Sequence, residues 1–204
     1  MRILIDPRFS VSTAHPPPAG WHLIRQPKPT SGLMISILAG LALPLIPFLL
    51  LGLESWLFPQ AVASLEETIP PWTSFPVLLV SVVGHEGLHL FWHPGWGLSP
   101  QSHLLVWRRR LAVGVQYEGF MSRTRWLAMR LAPLFGLTVL PTLVLLAAYP
   151  FGMSFFWQQF TVMVILVNSL GAGGDLVASA IVARQVPRGG EVGNWNGRAC
   201  WRGE

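Results

Sequence analysis

The residues that can do chemistry sit together in one short run, His85-Glu86-Gly87-Leu88-His89. On a helix, side chains four apart share a face, so the two imidazoles stand one turn apart with the Glu86 carboxylate beside them. Two neutral imidazoles at that spacing can share one tetrahedral transition-metal ion while a neighbouring carboxylate works on its water, an arrangement suited to metal-assisted hydrolysis of a peptide bond. His93 continues the same ladder and is an alternative third imidazole, although Pro94 disfavours helix just before it. His15, His22 and His103 lie in polar or basic stretches and are expected to be solvated.

The segments that must hold this run are apolar. Of the 204 residues 51% are hydrophobic and only 11% charged, with a mean hydropathy of +0.48, which points to lipid. Leu33 to Leu53 and Leu131 to Pro150 carry no charge, and each is long enough to cross a hydrocarbon core of ~30 Å. Phe75 to Trp92 contains the histidine run, and Phe155 to Ala183 contains Asn168 and Asp175. Ionisable side chains inside such spans cost at least ~2.5 kcal/mol at the helix centre, so they tend to face the bundle interior and carry function.

The charge distribution orients these spans. Arg2, Arg8, Arg25 and Lys28 precede the first, six arginines from Arg108 to Arg130 surround the connection between the second and third, and Arg184, Arg188, Arg198 and Arg202 follow the fourth. All fourteen basic residues thus fall on one side, the positive-inside pattern of a four-span protein with both termini in the cytoplasm. A net charge of +5 and a pI near 10.7 therefore reflect membrane orientation, and no nucleic-acid partner is expected. The single cysteine, Cys200, excludes an intrachain disulfide and is expected as a free surface thiol.

The expected fold is an all-α membrane protein of about four transmembrane helices, with a short β-prone cytoplasmic hairpin between the second and third. That hairpin is Leu104-Leu105-Val106-Trp107 and 111–117, split by Arg108-Arg109-Arg110. It could add an extended substrate as a strand, or anchor to anionic lipid. Residues 1–32 read as a proline-rich cytoplasmic tail, 33–185 as the four-span domain and 186–204 as a flexible cytoplasmic tail. Pro44 and Pro47 should bend the first span, and Pro133 and Pro141 lie inside the third. Residues 57–74, with Glu66, Glu67 and Trp72, form an outer connection. The small residues Gly171-Ala172-Gly173-Gly174 permit close helix approach or local unwinding just before Asp175. Asp175 lies ~13 Å from the inner end at Arg184 and His85 ~11 Å from the end of its own helix, so the two should share one depth.

With HEGLH at 85–89 and NSLGAGGD at 168–175, the chain resembles the DUF3267 family of zincin peptidases, distant relatives of the site-2 intramembrane metalloproteases. The basic β-prone connection, Tyr117 to Arg123, and Leu131-Ala132-Pro133-Leu134 also match, so that the likeness spans roughly residues 75–185. It implies that His85, His89 and Asp175 ligate Zn²⁺, that Glu86 is the catalytic acid/base, and that Asn168 is a polar contact near the substrate or oxyanion. An interhelical hydrogen bond is the other role open to Asn168. The implied substrate is a membrane protein or peptide cleaved near the cytoplasmic leaflet, and the expected location is the lipid bilayer of a bacterial plasma membrane. A non-catalytic metal-binding scaffold or metal carrier is the alternative. A carrier would show internal repeats and polar positions along a path, which the sequence lacks.

Overall fold

A computed structural model describes residues 1–7, 19–57, 70–110, 112–195 and 198–203. His15 and the Glu66-Glu67 connection lie outside the described residues. The chain folds as two compact units, one of Leu33–His85 with Pro133–Asp175, the other of Met1–Gly32, Glu86–Ala132 and Leu176–Glu204.

Helices α1 (Pro29–Ala42) and α2 (Leu45–Leu57) are separated by a turn at Leu43 and Pro44. Prolines 44 and 47 bring no N–H to the ladder, so the first span breaks there, as the sequence suggests. A single turn of 3₁₀ helix then leads into α3 (Ser74–Trp92). In the third span α4 (Arg123–Leu134) passes into a π-helical turn at Phe135–Val139 and then α5 (Leu140–Ala148). Pro133 lies inside α4, and two turns later Leu140 N–H bonds back to Phe135 O. α6 (Phe155–Gln185) is unbroken over 31 residues, so its small residues do not unwind it. They allow close approach instead: a Cβ on Gly173 would strike Ser36 O and the Gly40 backbone, and one on Gly40 would lie 3.0 Å from Leu170 Cα.

Four helical stretches, Pro29–Glu54, Pro71–Trp92, Arg123–Ala148 and Phe155–Gln185, are long and apolar enough to cross a membrane. Their polarity is arranged for lipid. Leu38, Leu49, Leu143 and Leu170 are exposed, whereas Thr138, Asn168, Ser169 and Asp175 are buried. Water would favour the reverse.

The other unit corrects the all-α expectation, because it contains two sheets. The hairpin forms as read: β3 (Ser102–Trp107) pairs antiparallel with β4 (Ala112–Tyr117) around a 3₁₀ turn at Arg108–Arg110. To it is added β1 (Arg2–Ile5), parallel to β3 with Arg2 opposite His103, in the order β1-β3-β4. Asp6 accepts from Arg108 N and Nε at 2.9 and 3.1 Å, closing that end.

The second sheet runs β2 (His22–Leu23), β7 (Arg198–Arg202), β6 (Glu191–Trp195), β5 (Met121–Ser122). Residues 186–204, expected to be flexible, therefore supply a hairpin, and the 1–32 segment supplies two strands. The reason is burial: Ile24, Val182, Val186 and Val192 form a core against which Trp126, Leu127 and Trp201 pack. Cys200 is buried in β7 rather than at the surface, and burial raises its thiol pKa. His103 is likewise buried, 3.4 Å from Glu118, and not solvated. His22 is exposed, its ring 4.8 Å from that of Trp201.

Candidate metal centre

α3 delivers the histidine run. It has no charged residue other than Glu86 and ends where Arg125 takes its last carbonyls, Nε donating to Trp92 O at 2.8 Å and an Nη to His93 O at 2.9 Å. A cation at that end satisfies acceptors that the helix cannot. α6 delivers Asp175, and the shared depth read by counting residues is met: His85 Nε2 lies 3.1 Å from Asp175 Oδ2. Gly171 makes room, since a Cβ there would meet His85 Cε1 at 3.3 Å.

The ring orientation of each histidine follows from its partner. Asn168 Nδ2 donates to Pro133 O and to Thr138 Oγ1, both at 2.9 Å. Its carbonyl oxygen therefore faces His85 Nδ1, at 2.9 Å, and that nitrogen is the N–H donor. His89 Nδ1 lies 2.8 Å from Met129 O, a carbonyl that only accepts, so it too carries the proton. In the neutral ring this leaves the lone pair of each histidine on Nε2. Metal-ligating histidines characteristically spend their other N–H in this way.

His85, His89 and Asp175 offer ligand atoms within 4.8 Å of one another, and together they could hold a metal ion. In the neutral tautomer, His85 Nε2 and Asp175 Oδ2 are two acceptors facing each other, an arrangement that a cation relieves. Their 3.1 Å separation is close to the ~3.3 Å between two ligands each ~2.0–2.1 Å from a tetrahedral ion. His89 and Asp175 are buried, and a carboxylate removed from water requires a counter-charge. The residues present thus fit a divalent metal.

Glu86 follows His85 in α3 and is half-buried. His93 is not in the metal-capable group. It is buried, with Nδ1 3.2 Å from Ser102 Oγ and its ring 5.4 Å from that of Tyr117. Burial lowers its pKa to about 4, with His89, Arg130 and Arg125 adding to the effect. Asn168 makes the interhelical bonds that were one of its two open roles. Sequence reasoning missed the Met129 carbonyl, which carries no side-chain signal, and Thr138, a hydroxyl in an apolar span. Pro133 did offer a signal, because a proline within a helix forecasts a disturbed ladder nearby.

Helices long and apolar enough to cross a membrane thus carry an imidazole-imidazole-carboxylate group that could hold a metal ion. Residues 78–189, more than half of the chain, match the family described as "Putative zincin peptidase", DUF3267, and the chain belongs to that family. No curated protein and no solved structure matches it.

Proposed function

We propose that the protein is a zinc-dependent intramembrane peptidase, hydrolysing a peptide bond of a membrane protein or peptide substrate near the cytoplasmic leaflet. The observation that carries this reading is the 3.1 Å approach of His85 Nε2 to Asp175 Oδ2 with the Nδ1 atoms of both histidines already committed. His85, His89 and Asp175 would hold the zinc, a choice that suits two imidazoles and a carboxylate. When bound, zinc supplies Lewis acidity toward water and a carbonyl oxygen.

The chain's own groups do the rest. Glu86 accepts a proton from water at its carboxylate and returns it to the nitrogen of the leaving amine. Asn168 and the Met129 carbonyl fix the two rings, so that no reorientation is needed during the reaction. A peptide bond must be presented unwound to be cut. β4 is an edge strand, and its Val115, Gln116 and Tyr117 line the same cavity as His89. An extended substrate pairing with that edge would be led toward the histidines.

Glu86→Gln separates this reading from a metal-holding scaffold. It keeps shape and hydrogen-bonding capacity but cannot take the proton at neutral pH. The expected result is about one zinc per chain retained by elemental analysis, with cleavage of a co-expressed membrane substrate reduced by ~10²- to 10⁴-fold. Equal cleavage by variant and parent, or a zinc-loaded parent that cleaves no membrane protein, would favour the scaffold.

A further inference from the structure

One face of the β1-β3-β4 sheet is apolar and exposed. Ile3 lies opposite Leu104, which lies opposite Val115, and Ile5 lies opposite Val106, which lies opposite Val113. Opposed residues point to the same side of a sheet, so these six side chains share a face. On it Ile3 and Ile5 are 60% and 59% exposed and Val113 is exposed too, while Leu105 on the reverse face is buried. A face turned to water normally carries polar residues at such positions, and none of these six is polar. Exposed apolar surface of this kind marks a contact.

The same surface continues to the end of α3. Gly95, Trp96 and Gly97 all have positive φ, at 67°, 56° and 78°, so the turn holds Trp96 in the left-handed conformation that a residue with a Cβ resists. A Cβ on Gly97 would strike Leu90, which means that the turn lies directly on the last residues of α3. It leaves Trp96 66% exposed, with its ring edge-on to that of Phe91 at 4.5 Å between centroids, and Leu98 75% exposed beyond it. The N-terminal ammonium donates to Leu98 O at 3.0 Å and ties β1 to this loop. Phe91 is itself exposed on a helix long and apolar enough to cross a membrane.

We propose that this face of the sheet lies against the membrane surface where α3 ends, with Trp96 at the level of the lipid headgroups and the arginine turn on anionic phospholipid. Tryptophan is enriched at that boundary because its ring is apolar while its N–H wants a polar partner. The turn between β3 and β4 supplies the charge. Arg108 and Arg109 are exposed there, and Asp6, the acid at that end of the sheet, is bonded to Arg108. Anionic headgroups attract arginines so placed. The bilayer around α3 reaches Phe91, Trp96 and the sheet together, so no second partner is needed to cover the patch. β1 lies outside residues 78–189, so the outer strand of this face is not defined by the matched family model.

Spin labels on the full-length protein in lipid nanodiscs test this contact. They are attached to Ile3→Cys, Ile5→Cys and Val113→Cys, and to Arg2→Cys as a control on the reverse face. Cys200 is buried and stays in place, with the parent protein measuring its background labelling. In discs containing phosphatidylglycerol, labels at positions 3, 5 and 113 should relax more with oxygen, which concentrates in lipid, than with a water-soluble nickel chelate. The label at position 2 should show the opposite order. In discs of phosphatidylcholine alone the contrast should shrink, because the arginine turn loses its anionic partner. An undiminished contrast overturns the anionic-lipid part of the proposal. Nickel contact at 3, 5 and 113 equal to that at 2 puts the face in water, and little contact with either agent puts it under protein, such as a second copy. Either result overturns the proposal. Neither zinc content nor cleavage enters the readout, so this proposal and the peptidase reading fail separately.

Discussion

Nδ1 of His89 and the carbonyl oxygen of Met129, forty residues apart in sequence, lie 2.8 Å apart, whereas His85 is held by the side chain of Asn168. One ring is thus fixed by backbone, beyond the reach of substitution, and the other by a residue that can be exchanged. This asymmetry makes the two histidines separable by experiment.

Asn168→Ala removes the acceptor of the His85 N–H and also leaves Pro133 O and Thr138 Oγ1 without that donor. Loss of such an outer partner typically weakens metal binding by ~10- to 100-fold, and competition with a chelator measures it. Asn168→Asp keeps the acceptor but not the amide donors, so its loss should be intermediate. Unchanged affinity in Asn168→Ala would show that the ring is positioned without it.

The metal group itself predicts a stoichiometry. Elemental analysis should find about one zinc per chain, lost in His85→Ala and in Asp175→Ala and kept in His93→Ala. Retention in Asp175→Ala with loss in His93→Ala would exchange the third ligand.

These assignments show where the sequence was readable. The hairpin could be read because two β-prone runs flank Arg108-Arg109-Arg110, a local signal. The meeting of His85 and Asp175 could be read because helical rise is constant, so that depth can be counted from each helix end. β1, β6 and β7 could not, since strands of four or five residues whose partners lie up to about 180 positions away leave no periodic trace. The burial of Cys200 and His103 is hidden in the sequence for the same reason, since it depends on those pairings. The π turn and the bonds of Asn168 to Pro133 O and Thr138 depend on contact between helices, which no single span encodes.

Glycine 173 offers a test of packing. A methyl group there meets the backbone of Ser36 and Gly40, which cannot rotate away, while Gly174 has open space. Gly173→Ala should therefore destabilise the fold by ~1–3 kcal/mol and disturb Asp175 two residues on. Gly174→Ala should be neutral or stabilising by up to ~1 kcal/mol through helix propensity. Unfolding in mixed micelles compares the two, and equal stability would mean that α1 and α6 are not in backbone contact.

His93 predicts an acid dependence. Its pKa falls from 6.5 to about 4 in the folded chain, chiefly through burial, so the unfolded state takes up the proton first as pH drops. Its stabilising contribution is complete above pH 6.5 and is lost as pH falls toward 4, by at most ~3 kcal/mol. Thermal unfolding of His93→Asn and parent across that window should show a shallower slope in the variant. Parallel slopes would place the acid dependence in other groups.

The strand pairings also impose an arithmetic on insertion. β1 and β3 are separated by two of the membrane-length helices, β5 and β6 by two, and β2 and β7 by all four. Partners in a hydrogen-bonded ladder must lie on one side of a bilayer, so each pairing requires an even number of crossings between its strands. A chain in which any one of the four helices failed to insert would have odd parity somewhere and could not close both sheets. Completed sheets would then report correct insertion, independently of where the arginines lie.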